Sequence, residues 1–174
     1  MMNIYRQKLD EEILALDNVE SLSVIFNAFK QYCGDLVATR TGISIKGVDG
    51  APDWYGYERV IWDSSYVLLE PILKKYCGEN ALLDGISSMC TEKKHGKGRQ
   101  SFVMLLDKYG STKYLPILAK LIDDPEVAIH SIEALTKLKD LSQFEKIKKL
   151  SECTKSTPIK SYARRYIKKL SNNK

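Results

Sequence analysis

Residues 115–138 read LPILAKLIDDPEVAIHSIEALTKL. Leu115, Leu118 and Leu121 recur at helical spacing before Asp123-Asp124-Pro125. Ser131, Ala134-Leu135 and Leu138 recur at the same spacing after it. This periodicity predicts two amphipathic helices, because residues three and four apart share one helix face. Between them Asp124 stands as a cap residue and Pro125 takes the first helical position, where its missing N–H costs nothing.

The unit is repeated. A shift of 32 residues aligns Leu83, Leu115 and Ile147, then Ile86, Leu118 and Leu150. The same shift aligns Phe102, Ala134 and Tyr166, then Val103, Leu135 and Ile167, then Leu106, Leu138 and Leu170. Each copy therefore reads as a helix A followed by a helix B. Ser142-Gln143-Phe144-Glu145 has the form of a capping box with Leu141 before it, and Thr157-Pro158 repeats the cap-proline pair. Asp17-Asn18-Val19-Glu20 has a similar form. Tyr32-Cys33-Gly34-Asp35, Tyr76-Cys77-Gly78-Glu79 and Tyr109-Gly110-Ser111 each follow an apolar segment, so each glycine is expected to stop a helix.

Leu118, Leu121, Asp123-Asp124-Pro125-Glu126-Val127, Ser131, Ala134-Leu135 and Leu138 resemble a HEAT-like repeat. The last copy, with Pro158, Ile159, Lys160, Ala163, Ile167 and Leu170, is similar; Lys160 stands where that family often has arginine, and Ala128 departs from it. The resemblance covers about residues 79–170. It implies an all-α fold: a short right-handed α-solenoid of helix pairs with an irregular N-terminal cap and one long loop. The expected organisation is a cap over 1–78 carrying a loop over 35–58, and a repeat region over 79–174, within one compact domain. Such solenoids serve as scaffolds, enzymes and inhibitors alike, so the resemblance speaks to architecture rather than activity.

The cap is less regular. Tyr5, Leu9, Ile13 and Leu16 mark one amphipathic helix, and Leu22, Ile25, Phe26, Phe29 and Tyr32 a second. The glycines and proline of Thr41–Asp53 argue against helix, and Ile43, Ile45 and Val48 suggest a short hairpin. Val60–Tyr76 is apolar on more than one face, which predicts burial on both sides, with Pro71 kinking or splitting it.

Composition excludes several classes. The chain has 174 residues, 44% apolar and 28% charged, enough for a real core and too apolar for disorder. Its longest uncharged stretch, Ser21–Phe29, is nine residues and far too short to cross a bilayer. The opening MMNIYRQKLDEE has no apolar signal-like core, so a cytoplasmic location is expected. Cys33, Cys77, Cys90 and Cys153 show no paired spacing, and His95 and His130 are the two histidines. Reduced thiols and no metal or cofactor are expected. Nucleophile elbow, phosphate loop, dinucleotide fingerprint and metalloprotease motif are all absent, and the expectation is a protein without catalytic activity.

Charge is divided unevenly. Residues 1–90 carry 8 basic and 13 acidic side chains, and residues 91–174 carry 19 and 9. Two segments follow as candidate sites. Asp49, Asp53, Trp54, Tyr55, Tyr57, Glu58 and Asp63 combine aromatics with carboxylates beside the long loop, a composition suited to a protein-binding hot spot. Lys97 and Arg99, in Lys93-Lys94-His95-Gly96-Lys97-Gly98-Arg99, suit an anion at a helix start, and a long cation at Arg99 calls for a carboxylate partner or a groove. Lys160, Arg164 and Lys168 add a cationic stripe. The chain is also similar, in size and in its acidic front half, to bacterial immunity proteins of contact-dependent inhibition. That resemblance implies a protein partner, a toxin domain, blocked by occlusion; an acidic face would suit a nuclease toxin. The alternative is nucleic-acid binding, in the manner of HEAT-like DNA glycosylases.

Overall fold

A computed structural model of the protein describes residues 20–40, 44–45, 54–76 and 80–171. Among these, eight α-helices carry nearly all the structure. They are α1 (Glu20–Arg40), α2 (Gly56–Lys75), α3 (Asn80–Thr91), α4 (Arg99–Tyr109), α5 (Leu115–Leu121), α6 (Ala128–Lys137), α7 (Phe144–Cys153) and α8 (Thr157–Ser171). One antiparallel pair of two-residue strands, β1 (Ser44–Ile45) and β2 (Trp54–Tyr55), sets Ser44 against Tyr55 and Ile45 against Trp54. Ile45 of the expected hairpin thus pairs; Ile43, Val48, Asp49 and Asp53 lie outside the described residues, as do the helix expected at Tyr5–Leu16 and its neighbouring cap.

The chain forms two compact units, residues 1–102 and 103–174. The boundary between these units lies inside α4. The reason is packing: the segment Lys93–Gly98 lies against α2, and Phe102 meets Phe29 edge-on at 6.0 Å, so α3 and the start of α4 belong with α1 and α2.

In the first unit α1 packs on α2 and α3. Its apolar face is Leu22, Ile25, Phe26, Phe29, Cys33 and Leu36, all buried at helical spacing. Gly34 lies inside this helix rather than ending it. Burial of Cys33 and Leu36 on either side carries the helix through the glycine. Glycine is used differently in α3: a Cβ on Gly85 would come within 2.5 Å of the Phe26 ring, so this residue lets α1 and α3 approach. Helix α2 buries Ile61, Ser65, Leu68, Leu69, Ile72 and Leu73, one broad face, while Val67 stays 54% exposed. Burial on both sides is therefore corrected to burial on one. Pro71 is on the exposed side and does not split the helix.

In the second unit α5 packs on α6, α7 on α8, and α6 on α8. The Ser131 hydroxyl donates to the Leu118 carbonyl and ties α5 to α6. Lys146 on α7 donates to the Ala119 carbonyl at 3.1 Å and the Asp123 carboxylate at 2.7 Å. The Tyr166 hydroxyl donates to the Asp140 carbonyl at 2.5 Å, and burial holds its pKa up at about 12. Of the residues in the five aligned columns all but Leu138, the cap just past the end of α6, lie on helices; Phe102, Ala134 and Tyr166 are wholly buried. The caps differ in detail. Helix α7 begins without a side-chain cap, because Ser142 instead bonds Asp140 through both its N–H and its hydroxyl. At α8 the capping oxygen is Ser156, accepting from Ile159 N–H at 3.5 Å, one residue before the expected Thr157. Asp124 does accept from Glu126 N–H, at 3.2 Å, in the turn that leads into α6.

Candidate functional site

The first turn of α2 and the 3-10 segment Lys93–Gly98 meet around Glu58, which is 3% exposed. Its Oε1 accepts the Lys97 N–H at 2.9 Å. The contact needs Gly96, whose φ of +51° lies where L-residues pay a steric penalty and whose missing Cβ leaves the space the carboxylate fills. The expected anion-holding loop thus does hold a carboxylate, but the carboxylate is the chain's own. Arg99 is buried at 1% exposure, with Nε donating to Gly96 O at 2.9 Å and Nη1 to Cys90 O at 3.3 Å. Its column neighbours Ser131 and Ala163 are small and buried, so this register position faces inward, and a buried guanidinium must spend its donors on nearby oxygens. Arg99 and Glu58 therefore brace the fold and do not face a ligand in solution. Ser65 and Ser101 complete the seam, 2.5 Å apart, with Ser101 donating to Gly98 O at 2.9 Å.

His95 lies in the same segment, wholly buried, with neither ring nitrogen hydrogen-bonded. Burial lowers its pKa to about 4, although Glu92, 3.9 Å from Nε2, pulls the other way. Burial also works against the charge on Glu92, but Lys30 at 2.8 Å and Lys94 at 3.1 Å outweigh it and hold that carboxyl below its usual range. Cys33 and Cys90 are buried free thiols whose pKa burial pushes upward, so neither is a ready nucleophile; Cys153 is exposed. Among the described residues no group of His, Cys, Asp and Glu is placed to hold a metal, and no helix is long and apolar enough to cross a membrane.

The aromatic-acidic segment separates into an internal and an external part. Tyr57 is buried beside Glu58, and Trp54 and Tyr55 contribute backbone to β2. Asp63 is exposed and accepts from Arg59 Nε at 3.0 Å. Arg59 lies 5.6 Å over the Trp62 ring, which stacks on Tyr66 at 5.5 Å. Glu58 and Tyr57 are thus corrected from docking residues to core residues. The physical cause is that α2 starts at Gly56, and its first turn is already covered by the Lys93–Gly98 segment.

A second locus lies on the second unit. Glu133, Thr136 and Lys137 of α6 face Tyr162, Arg165 and Lys169 of α8 across an open concavity of about 340 Å³ including its mouth. Lys137 pairs with Asp107, whose side chain is 8% exposed and whose Oδ1 is buried without a hydrogen bond. His130, one turn before Glu133, has its pKa lowered by burial and a buried Nδ1 without a partner. Arg165 lies 5.8 Å over the Tyr162 ring. No protein-family model, curated protein or solved structure matches this chain.

Arg165 and Lys169 were visible as charge in the sequence, but Glu133, Thr136, Lys137 and Tyr162 carry no motif. The 32-residue register finds part of the lining: it sets Glu133 on Arg165 and Lys137 on Lys169, whereas Thr136 falls on Lys168 and Tyr162 on His130, neither of which lines the concavity.

Proposed function

We propose that this chain is a non-enzymatic protein-binding module, a short stack of helix pairs whose second unit carries the contact surface. The single observation behind this reading is the concavity between α6 and α8, with its mixed lining of Lys137, Arg165, Lys169, Glu133 and Tyr162. The adjacency of α5 with α6, α7 with α8 and α6 with α8 supports stacking in the manner of a solenoid, whose successive equivalent helices line one surface. Tyr and Arg at the centre of a concave patch are the residue types that dominate binding energy at protein interfaces.

The immunity-protein form of this reading, capture and blocking of a toxin domain, changes its docking face. Of the acidic-aromatic residues, Asp63 is the exposed carboxylate among those described, while residues 103–174 carry 15 Lys and Arg against 8 Asp and Glu. Complementary charge orients encounter, so the partner segment that meets this unit is acidic. The phosphate-binding face of a nuclease is basic and is a poor complement. Nucleic-acid binding is favoured by a separate observation: Arg164 and Lys168 are exposed on α8, on one stripe with half-buried Lys160.

Chemical cross-linking in the producing cell separates the two. The protein-binding reading expects links from Lys137, Lys168 or Lys169 to peptides of one identified second protein. Recovery of nucleic acid instead, with duplex affinity falling steeply with salt and no protein links, would replace it.

A further inference from the structure

We propose that the concavity between α6 and α8 is a docking site for an acidic peptide segment of a protein partner, and that Glu133 makes it selective against nucleic acid. This rests on the binding-module reading and specifies its ligand.

The lining is mixed, not uniformly basic. Lys137, Arg165 and Lys169 supply three cations; Glu133 supplies a carboxylate among them, and Asp107 a second behind Lys137. A phosphodiester backbone carries negative charge at every step, so its passage through the concavity meets repulsion at Glu133. A peptide offers both signs. Its acidic side chains suit Arg165 and Lys169, and its backbone N–H groups suit Glu133.

Two of the cations are also positioned in advance. Lys137 is held by Asp107, and Arg165 lies over the Tyr162 ring. Ordering a long side chain before binding lowers the entropy that binding must overcome. A guanidinium carries the fork of donors that can grip a carboxylate at two points. The concavity is open on one side, so an acidic side chain can enter it while the rest of its chain stays outside.

The test uses the full chain and two fluorescein-labelled probes, an acidic dodecapeptide alternating Glu with Ser and a 20-base-pair duplex DNA, titrated by anisotropy across salt. Two double variants make the same charge change: Arg165→Glu with Lys169→Glu inside the concavity, and Arg164→Glu with Lys168→Glu outside it. The proposal expects at least a tenfold loss of peptide affinity from the inner pair and less than threefold from the outer pair. It also expects Glu133→Gln to strengthen duplex binding more than peptide binding. Equal losses from the two pairs would show a general charge effect and overturn the proposal, leaving the wider binding-module reading standing. No peptide binding at low salt overturns it as well, and duplex binding dominated by the outer pair would carry the binding-module reading down with it.

Discussion

His95 is neutral in the folded protein because burial with no hydrogen-bond partner disfavours its charged form. Its folded pKa of about 4 lies below the ordinary 6.5, so below pH 6.5 the unfolded chain takes up a proton that the folded chain refuses until about pH 4. Stability is therefore lost as pH falls through that window, by about 2 kcal/mol between pH 7 and pH 5. Urea unfolding at the two pH values should show this loss in the wild type and a much flatter response in His95→Leu. Two neighbours in the same seam respond to steric and polar changes. Gly96→Ala places a methyl on the Glu58 carboxylate at a positive φ and should cost at least about 1 kcal/mol. Glu58→Ala should cost about 1–3 kcal/mol by stranding the Lys97 N–H, while Glu58→Gln, which keeps an acceptor, should cost less. Urea midpoints measured at pH 7 check all three.

Two helices carry residues that their local backbone disfavours. Gly34 sits in the interior of α1, and a Cβ there meets nothing within 4 Å. Lys139, just past the end of α6, has φ of +54°, the left-handed region that glycine enters freely, while Asp140 N–H closes the helix end on Leu135 O at 3.0 Å. Gly34→Ala should thus stabilise by about 0.4–1 kcal/mol by removing unfolded-state freedom. Lys139→Gly should stabilise by up to about 1 kcal/mol through relief at the cap. The sites lie in different units, and thermal melts should show the two shifts adding. The same pair explains a failure of sequence punctuation. Glycine reads as a helix stop because it enters the left-handed region that closes many helices, but at Gly34 the burial of Cys33 and Leu36 outweighs its low helix propensity.

For the molecule as a whole, the structural boundary changes the charge division. Residues 1–102 carry 12 basic and 14 acidic side chains, and residues 103–174 carry 15 and 8, so the positive field belongs to the second unit. Long-range steering depends on net charge, whereas affinity depends on where the charges lie. The inner and outer charge-reversal pairs should therefore elute at the same reduced salt from a cation-exchange column, although their peptide affinities differ. A column that separates them widely would mean that one pair has altered the fold or the exposure of its neighbours.

Helical class, the order of A and B helices and the apolar columns from Leu83 to Leu170 were legible in the sequence, because periodic burial is written locally every three or four residues. What only the tertiary structure decided is the fate of each polar group. Glu58 and Arg99 read as surface chemistry until Glu58 meets Lys97, 39 residues away, and Arg99 meets the Cys90 carbonyl. A charged side chain has the same local signature whether it faces water or a buried backbone amide, and only packing across the chain distinguishes the two.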